Sequence, residues 1–538
     1  MKIKSMISKR INNNLVIKGT LILTLTGLAA RILGFYNRIF LSGLIGAKEL
    51  GIYQLIFPLY IVAFALTTFG NELALTKLVS EYNSLDRAAT AKAFFKVCFT
   101  INLILGCMVS FLMHHFSDWL CSNILNAPEC SACLKVISFG VPFMAMKGAI
   151  HGYFLGLEKS EVHGISDFLE QFAKVFVLSF FVTNVCIRES YDAAFAVWGI
   201  VIGEIVSFLY SAISFIRYHV KNSKSSHPLY SNRSNYEEKN CNANRSQVND
   251  LSCSAPLYTD QIVRIFLKTS IPMTTNRLAL TVMQSIEAIL IPTVLLVYYK
   301  DSAFSLSTYG IFTGMAFPFI MFPATVTNSL STMLMPAVSS ANSALKKNYL
   351  KRLCEQSLHF CLLIGLFSTV LFYIFGSTLG TVFFHNEDAG RYLIQLSFLC
   401  PLIYLSTTLA SILNGLGYAP HNLMLTILST LIRIAFILTT IPRIGMSGYI
   451  LGLFVSYLFQ SLASLSKLHT KIPVELKFTK SILRPCIPFI LLGILSFHLY
   501  KYLMSSISKQ YSFLILIFVI GSYGTISLLP FLMNTQKK

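Results

Sequence analysis

Apolar runs of about twenty residues, separated by mostly short polar connections, recur along the whole chain. At a helical rise of about 1.5 Å per residue, such a run matches a hydrocarbon layer of roughly 30 Å. A membrane β-barrel would instead show segments of about ten residues with alternating polarity. In lipid, each backbone N–H and C=O must find its partner within the protein, which leaves helices. The composition agrees, with 54% hydrophobic and 12% charged residues among 538 and a mean hydropathy of +0.64. The fold class expected is an all-α polytopic membrane protein with about 14 transmembrane helices. They lie near residues 19–44, 50–76, 94–113, 134–156, 167–186, 193–216, 263–297, 307–335, 354–379, 391–413, 422–441, 446–466, 485–503 and 511–533.

The net charge of +20 fixes an orientation rather than a nucleic-acid partner. With the N-terminus inside, 29 of the 43 Lys and Arg fall near cytoplasmic span ends and 8 on the other side. That asymmetry is the positive-inside pattern and predicts a multi-pass protein of the cell membrane with both termini cytoplasmic. The basic start, MKIKSMISKRINNNL, is followed by no small-residue cleavage site, so the first span reads as retained.

A long hydrophilic stretch, including SKSSHPLYSNRSNYEEKNCNANRSQVND, reads as a flexible cytoplasmic linker. It divides the chain into an N-terminal six-helix lobe (1–217), the linker (218–262), a C-terminal six-helix lobe (263–470) and two additional helices (471–538). The lobes match at a shift of 259 residues. Gly51 meets Gly310, Ser138 and Pro142 meet Ser397 and Pro401, Gly156 meets Gly415, and Lys174 meets Arg433. After a ten-residue shortening, Gly199, Gly203 and Ser207 meet Gly448, Gly452 and Ser456. Units of six spans each share one orientation, so the predicted lobes are parallel repeats about an axis along the membrane normal, facing each other across a cavity.

Charges inside apolar spans single out the candidate site. Arg31 and Arg38 lie seven residues apart in TGLAARILGFYNRIFLSG, which places them two turns apart on one helix face. Two arginines at mid-bilayer depth cost about 5–7 kcal/mol on insertion scales, so something must offset them. Guanidinium forks on a cavity wall suit a bulky phosphate-bearing anion; the plainer alternative has Arg38 reaching an interface while Arg31 pairs with a carboxylate. Lys147 and Arg277 lie mid-span with no acid one turn away on their own helices, and are further candidates for the cavity wall. Glu170 and Lys174, four residues apart, predict a local ion pair. Glu204 and Glu287 are isolated acids that either couple transport to an ion or neutralise a nearby cation. Glu72 reads as a helix-terminus group, and His114–His115 as solvated. Prolines at 58, 142, 318, 323 and 401 mark kinks or pivots.

Neither a cofactor nor a metal is expected. Of twelve cysteines, only Cys130 and Cys133 in ECSAC have suggestive spacing, and no second pair or nearby histidine completes a zinc site. A Walker loop, H-E-x-x-H and G-x-S-x-G are absent, so the chain does not read as an enzyme.

The run KGTLILTLTGLAARILGFYNRIFLSGLIGAKELGIYQLIFPLYIVAFALTTFGNELALTKLVSEY, together with SIEAILIP from Ser285 to Pro292, resembles the stage V sporulation protein B group. That group belongs to the polysaccharide-transporter branch of the multidrug/oligosaccharidyl-lipid/polysaccharide flippase superfamily. The resemblance implies movement of a polyprenyl-pyrophosphate-linked saccharide from inner to outer leaflet, with a peptidoglycan precursor for spore cortex as cargo. The partners implied are this lipid-linked anionic saccharide and membrane lipids. It also implies that Arg31, in AARILG, lines the cavity and that the last two spans form a groove for the polyprenyl tail. Two positions depart from the pattern: the second family arginine falls at Asn37, and Gly70 is followed by Asn71 and Glu72 where relatives show glycine-x-proline. The alternatives are a multidrug cation antiporter, which wants an acidic cavity, and a membrane-embedded glycosyltransferase, which wants catalytic acids on large outer loops.

Overall fold

The computed structural model describes residues 2–85, 87–184, 192–224, 259–474, 484–506, 515–516 and 518–527, and every regular element among them is helical. The first element, α1 (Lys2–Leu55), is broken at Gly46, whose φ of 76° and ψ of 179° suit a residue without Cβ. Residues 47–55 therefore begin a second pass, which continues through α2 (Phe57–Phe64), a wide-turned stretch Ala65–Phe69 and α3 (Gly70–Ser84). The N-terminal half is completed by α4 (Ala88–His115), α5 (Ser117–Asn123), α6 (Ser131–Ser138), α7 (Val141–Gly156), α8 (Glu161–Asn184) and α9 (Ala193–Lys224).

The second half begins with α10 (Thr259–Tyr299) and α11 (Ser302–Gly310), which runs through a wide-turned stretch Ile311–Ala316 into α12 (Phe317–Ser343). It continues with α13 (Lys347–Phe384), α14 (Glu387–Ser397), α15 (Cys400–Gly415), α16 (Ala419–Ile444) and α17 (Met446–His469). After these, α18 (Arg484–Ser506) and the helical residues 518–527 pack on α13, where the Phe367 ring stacks on Tyr523 at 5.1 Å. Of the expected linker, residues 225–258 lie outside the described residues; α9 runs on to Lys224 and α10 already starts at Thr259. The last expected span, 511–533, is described only at 515–516 and 518–527.

Among the described residues nine helices are long and apolar enough to cross a membrane. Two bent pairs, residues 128–138 with α7 at 46° and α14 with α15 at 55°, raise the number to eleven. The shortfall from fourteen has visible causes. Thr26–Ser84 counts once although Gly46 breaks it, and α8 carries Glu161, Asp167, Glu170 and Lys174, which lower its hydropathy.

The two halves repeat the same contacts at the 259-residue shift. Ser110 Oγ donates to the carbonyl of Ser138 at 2.7 Å, and its counterpart Thr369 Oγ1 donates to that of Ser397 at 2.9 Å. A Cβ on Gly106 would stand 3.1 Å from the Pro142 Cα, and one on Gly365 2.6 Å from the Pro401 Cα. Small residues thus hold the same helices close in each half, as expected where lipid offers no hydrophobic drive to association.

The halves meet where the repeat says equivalent residues should. The backbones of Gly51 and Gly310 cross so closely that a Cβ on Gly310 would lie 2.9 Å from the Gly51 Cα. A contact between equivalent positions is what a two-fold relation places on its axis. Around this crossing, α10 packs on α2 and α3, with Ser285 Oγ donating to the Pro58 carbonyl at 3.0 Å. Phe35 of α1 meets Phe319 of α12 edge-on at 4.6 Å.

Candidate functional site

Below the Gly51–Gly310 crossing, along α1 toward its N-terminus, a cavity of about 820 Å³ opens between the halves. Its walls are α1, the start of the second pass, α8 and α12. From α1 come Arg31, Asn37 and Arg38; Lys174 comes from α8, and Thr325 and Asn328 from α12. The seven-residue spacing does bring Arg31 and Arg38 to one cavity, with Gly34 between them facing the Gln171 side chain. Both arginines are exposed, and among the described residues neither has a carboxylate within 4.0 Å. Asn37 is buried beside them, and its amide oxygen has no donor among the described residues.

A second cavity of about 320 Å³ adjoins the first, and Asp167 and Glu170 line both. Here lies Lys147, which is not a free cation of the arginine cavity. Its Nζ is held between Glu170 Oε2 at 2.7 Å and Glu204 Oε2 at 2.6 Å. The acids come from α8 and α9, so no spacing along α7 could reveal them. Glu170 also takes Lys174 Nζ at 3.0 Å, the pair that the four-residue spacing predicts. Tyr60 donates its hydroxyl to Glu204 at 2.8 Å. The four charges of Lys147, Lys174, Glu170 and Glu204 cancel in place.

The other expected residues separate from the arginines. Arg277 on α10 sits 4.5 Å over the Phe69 ring and lines neither cavity. Glu287 on α10 forms a two-pronged pair with Arg433 of α16, Nε–Oε1 at 2.6 Å and Nη2–Oε2 at 2.9 Å, and Tyr449 donates to it at 3.0 Å. Glu204 and Glu287 thus each neutralise a buried cation. Glu72 lies at the start of α3, not at an exposed helix end, and faces the smaller cavity with His151 and His163. The two histidines drew no attention in the sequence because each stands alone on its own helix. Cys130 and Cys133 are buried free thiols.

A two-lobed helical fold with a cavity between the lobes is the frame in which comparisons with known proteins fall. A family model described as polysaccharide biosynthesis protein matches residues 16–342, and a MatE model matches residues 278–439. The chain belongs to the polysaccharide biosynthesis protein family. It is 25% identical over 464 residues to stage V sporulation protein B of Bacillus subtilis (strain 168), covering 86% of this chain and 85% of that one. To the lipid II flippase MurJ of the same organism it is 22% identical over 211 residues, 36% of this chain and 39% of that one. Among solved structures, lipid II flippase MurJ in an inward closed conformation superposes with a TM-score of 0.65 at 13% identity, over 95% of this chain and all of that one. An inward-facing multidrug resistance MATE family transporter of the MOP superfamily gives 0.60 at 16% identity, over 83% and 95%. The chain is a multi-pass membrane protein with the fold of that superfamily.

Proposed function

We propose that this protein is a flippase that carries a polyprenyl-pyrophosphate-linked saccharide from the inner to the outer leaflet by alternating access. The observation that carries the reading is the pair of guanidiniums, Arg31 and Arg38, facing an 820 Å³ cavity between the lobes with no carboxylate within 4.0 Å of either among the described residues. A pyrophosphate there would neutralise both arginines, each binding phosphate oxygens through its planar fork. The tail would stay in lipid beside α18 and the helical residues 518–527. With the N-terminus inside, the cavity opens to the cytoplasm and the Gly51–Gly310 crossing closes the outer end. Rocking of the lobes, 1–217 against 263–470, would exchange the two. Likeness to stage V sporulation protein B and to lipid II flippase MurJ supports a peptidoglycan precursor as cargo, used for spore cortex.

The test is reconstitution into liposomes with labelled lipid II or another polyprenyl-pyrophosphate saccharide. Transfer between leaflets should fall roughly tenfold or more in Arg31→Ala or Arg38→Ala, since a hydrogen bond to a charged group contributes about 1.5–3 kcal/mol. Equal transfer by intact protein and both variants would overturn the assignment, as would selective transport of organic cations instead.

A further inference from the structure

We propose that Glu72, His151 and His163 form a binding site for a divalent transition-metal ion, zinc being the best chemical match, which ties α3, α7 and α8 together beside the arginine cavity. One ligand atom from each residue lies within 4.8 Å of the others, and all three side chains line the 320 Å³ cavity. Two imidazoles and one carboxylate are a ligand set that zinc takes, with the fourth position left to water, here supplied by the cavity.

The surroundings are arranged as ligands require. The Nδ1 atoms of His151 and His163 face each other at 2.8 Å. Their outer nitrogens are each met by a second group: His151 Nε2 by Ser211 Oγ at 3.2 Å, and His163 Nε2 by Asp167 Oδ2 at 3.8 Å. Such outer partners orient metal-binding histidines and leave the other nitrogen for the ion. Zinc–nitrogen bonds of about 2.0–2.1 Å at tetrahedral angles put two nitrogens near 3.3 Å apart, so the rings need part by only about half an ångström.

Charge points the same way. The Glu72 carboxylate has no hydrogen bond or ion pair among the described residues, and Asp167 has only His163. Lys147, the nearest cation, is already balanced by Glu170 and Glu204. Two carboxylates and two imidazoles gathered in one cavity are a set of donors that a divalent cation would draw together. The backbone brings Glu72 this close because α7 presents glycine to α3: a Cβ on Gly152 would stand 2.8 Å from the Glu72 carbonyl oxygen.

The experiment uses the full chain, purified without a histidine tag, stripped with chelator and titrated with Co²⁺ and with Zn²⁺. One equivalent of Co²⁺ should give the intense visible bands of a four-coordinate nitrogen–oxygen site, and Zn²⁺ should displace it and raise the unfolding temperature. His151→Ala and the near-isosteric Glu72→Gln should both lose the bands and the temperature rise. Ser211→Ala should weaken binding about tenfold while keeping the spectrum. Glu72→Gln keeps the size of the side chain, and an unchanged elution volume and helical circular dichroism of the metal-free variant separate loss of a ligand from loss of folding. No stoichiometric cobalt spectrum in the intact protein, or one unchanged in Glu72→Gln, would overturn the site.

Discussion

Arg433 and Glu287 show what a charge inside a membrane protein requires. Their two-pronged contact, closed by Tyr449 and by Thr430 at 3.1 Å, satisfies both groups. Removing one partner leaves the other buried without compensation, which costs about 3–5 kcal/mol. Glu287→Leu or Arg433→Leu alone should therefore lower the unfolding temperature in detergent sharply, and the double variant should recover most of the loss. A double variant as unstable as the sum of the singles would show that the pair is not a closed unit. The same logic separates Arg31 and Arg38 from the buried cations, because they alone among the spans' arginines and lysines considered as site residues face a large cavity with no carboxylate within 4.0 Å among the described residues and no ring beneath the guanidinium. Their shared face was legible in the sequence, as was the Glu170–Lys174 pair, because both depend only on spacing along one helix. The partners of Lys147 were not, because they arrive from α8 and α9, and helix-to-helix neighbours leave no mark on local spacing.

At the scale of elements, glycines decide how closely the spans approach. Gly51 and Gly310 cross backbone to backbone between the lobes, where neither position has room for a side chain. Gly51→Val should force this end apart and hold the lobes in a state open there. Spin labels placed on α5 and α11 should report a longer distance than in the intact protein; an unchanged distance would show that the crossing is not the closing contact. The wide-turned stretches Ala65–Phe69 and Ile311–Ala316 each interrupt a span near this interface, and neither was visible in the sequence. They depend on how neighbouring helices take up freed backbone groups rather than on a residue type.

For the whole molecule, the prediction concerns which side the cavity faces. In a background without the twelve native cysteines, a cysteine at position 31 or 38 should react with a membrane-impermeant maleimide from the cytoplasmic side only. Reaction from the outside alone would reverse the orientation that the distribution of lysine and arginine predicts. The repeat contacts Ser110–Ser138 and Thr369–Ser397 show the two halves built alike, yet their charges differ. Lys174 and Arg433 occupy equivalent positions, but the acid for Lys174 lies on its own helix and that for Arg433 on α10. The repeat thus preserves backbone geometry while each half solves its charge balance separately.

What the sequence by itself determined is whatever follows from one helix in one solvent: the apolar runs, the repeat in Gly, Pro and Ser, and the common face of Arg31 and Arg38. Tertiary structure alone decided which charges are cancelled and which remain free. It placed Lys147 between two acids, set Arg277 on Phe69, and gathered Glu72, His151 and His163 from three helices. The physical reason is that burial and Coulomb energy depend on distances across the bundle, and those are fixed only when the helices pack.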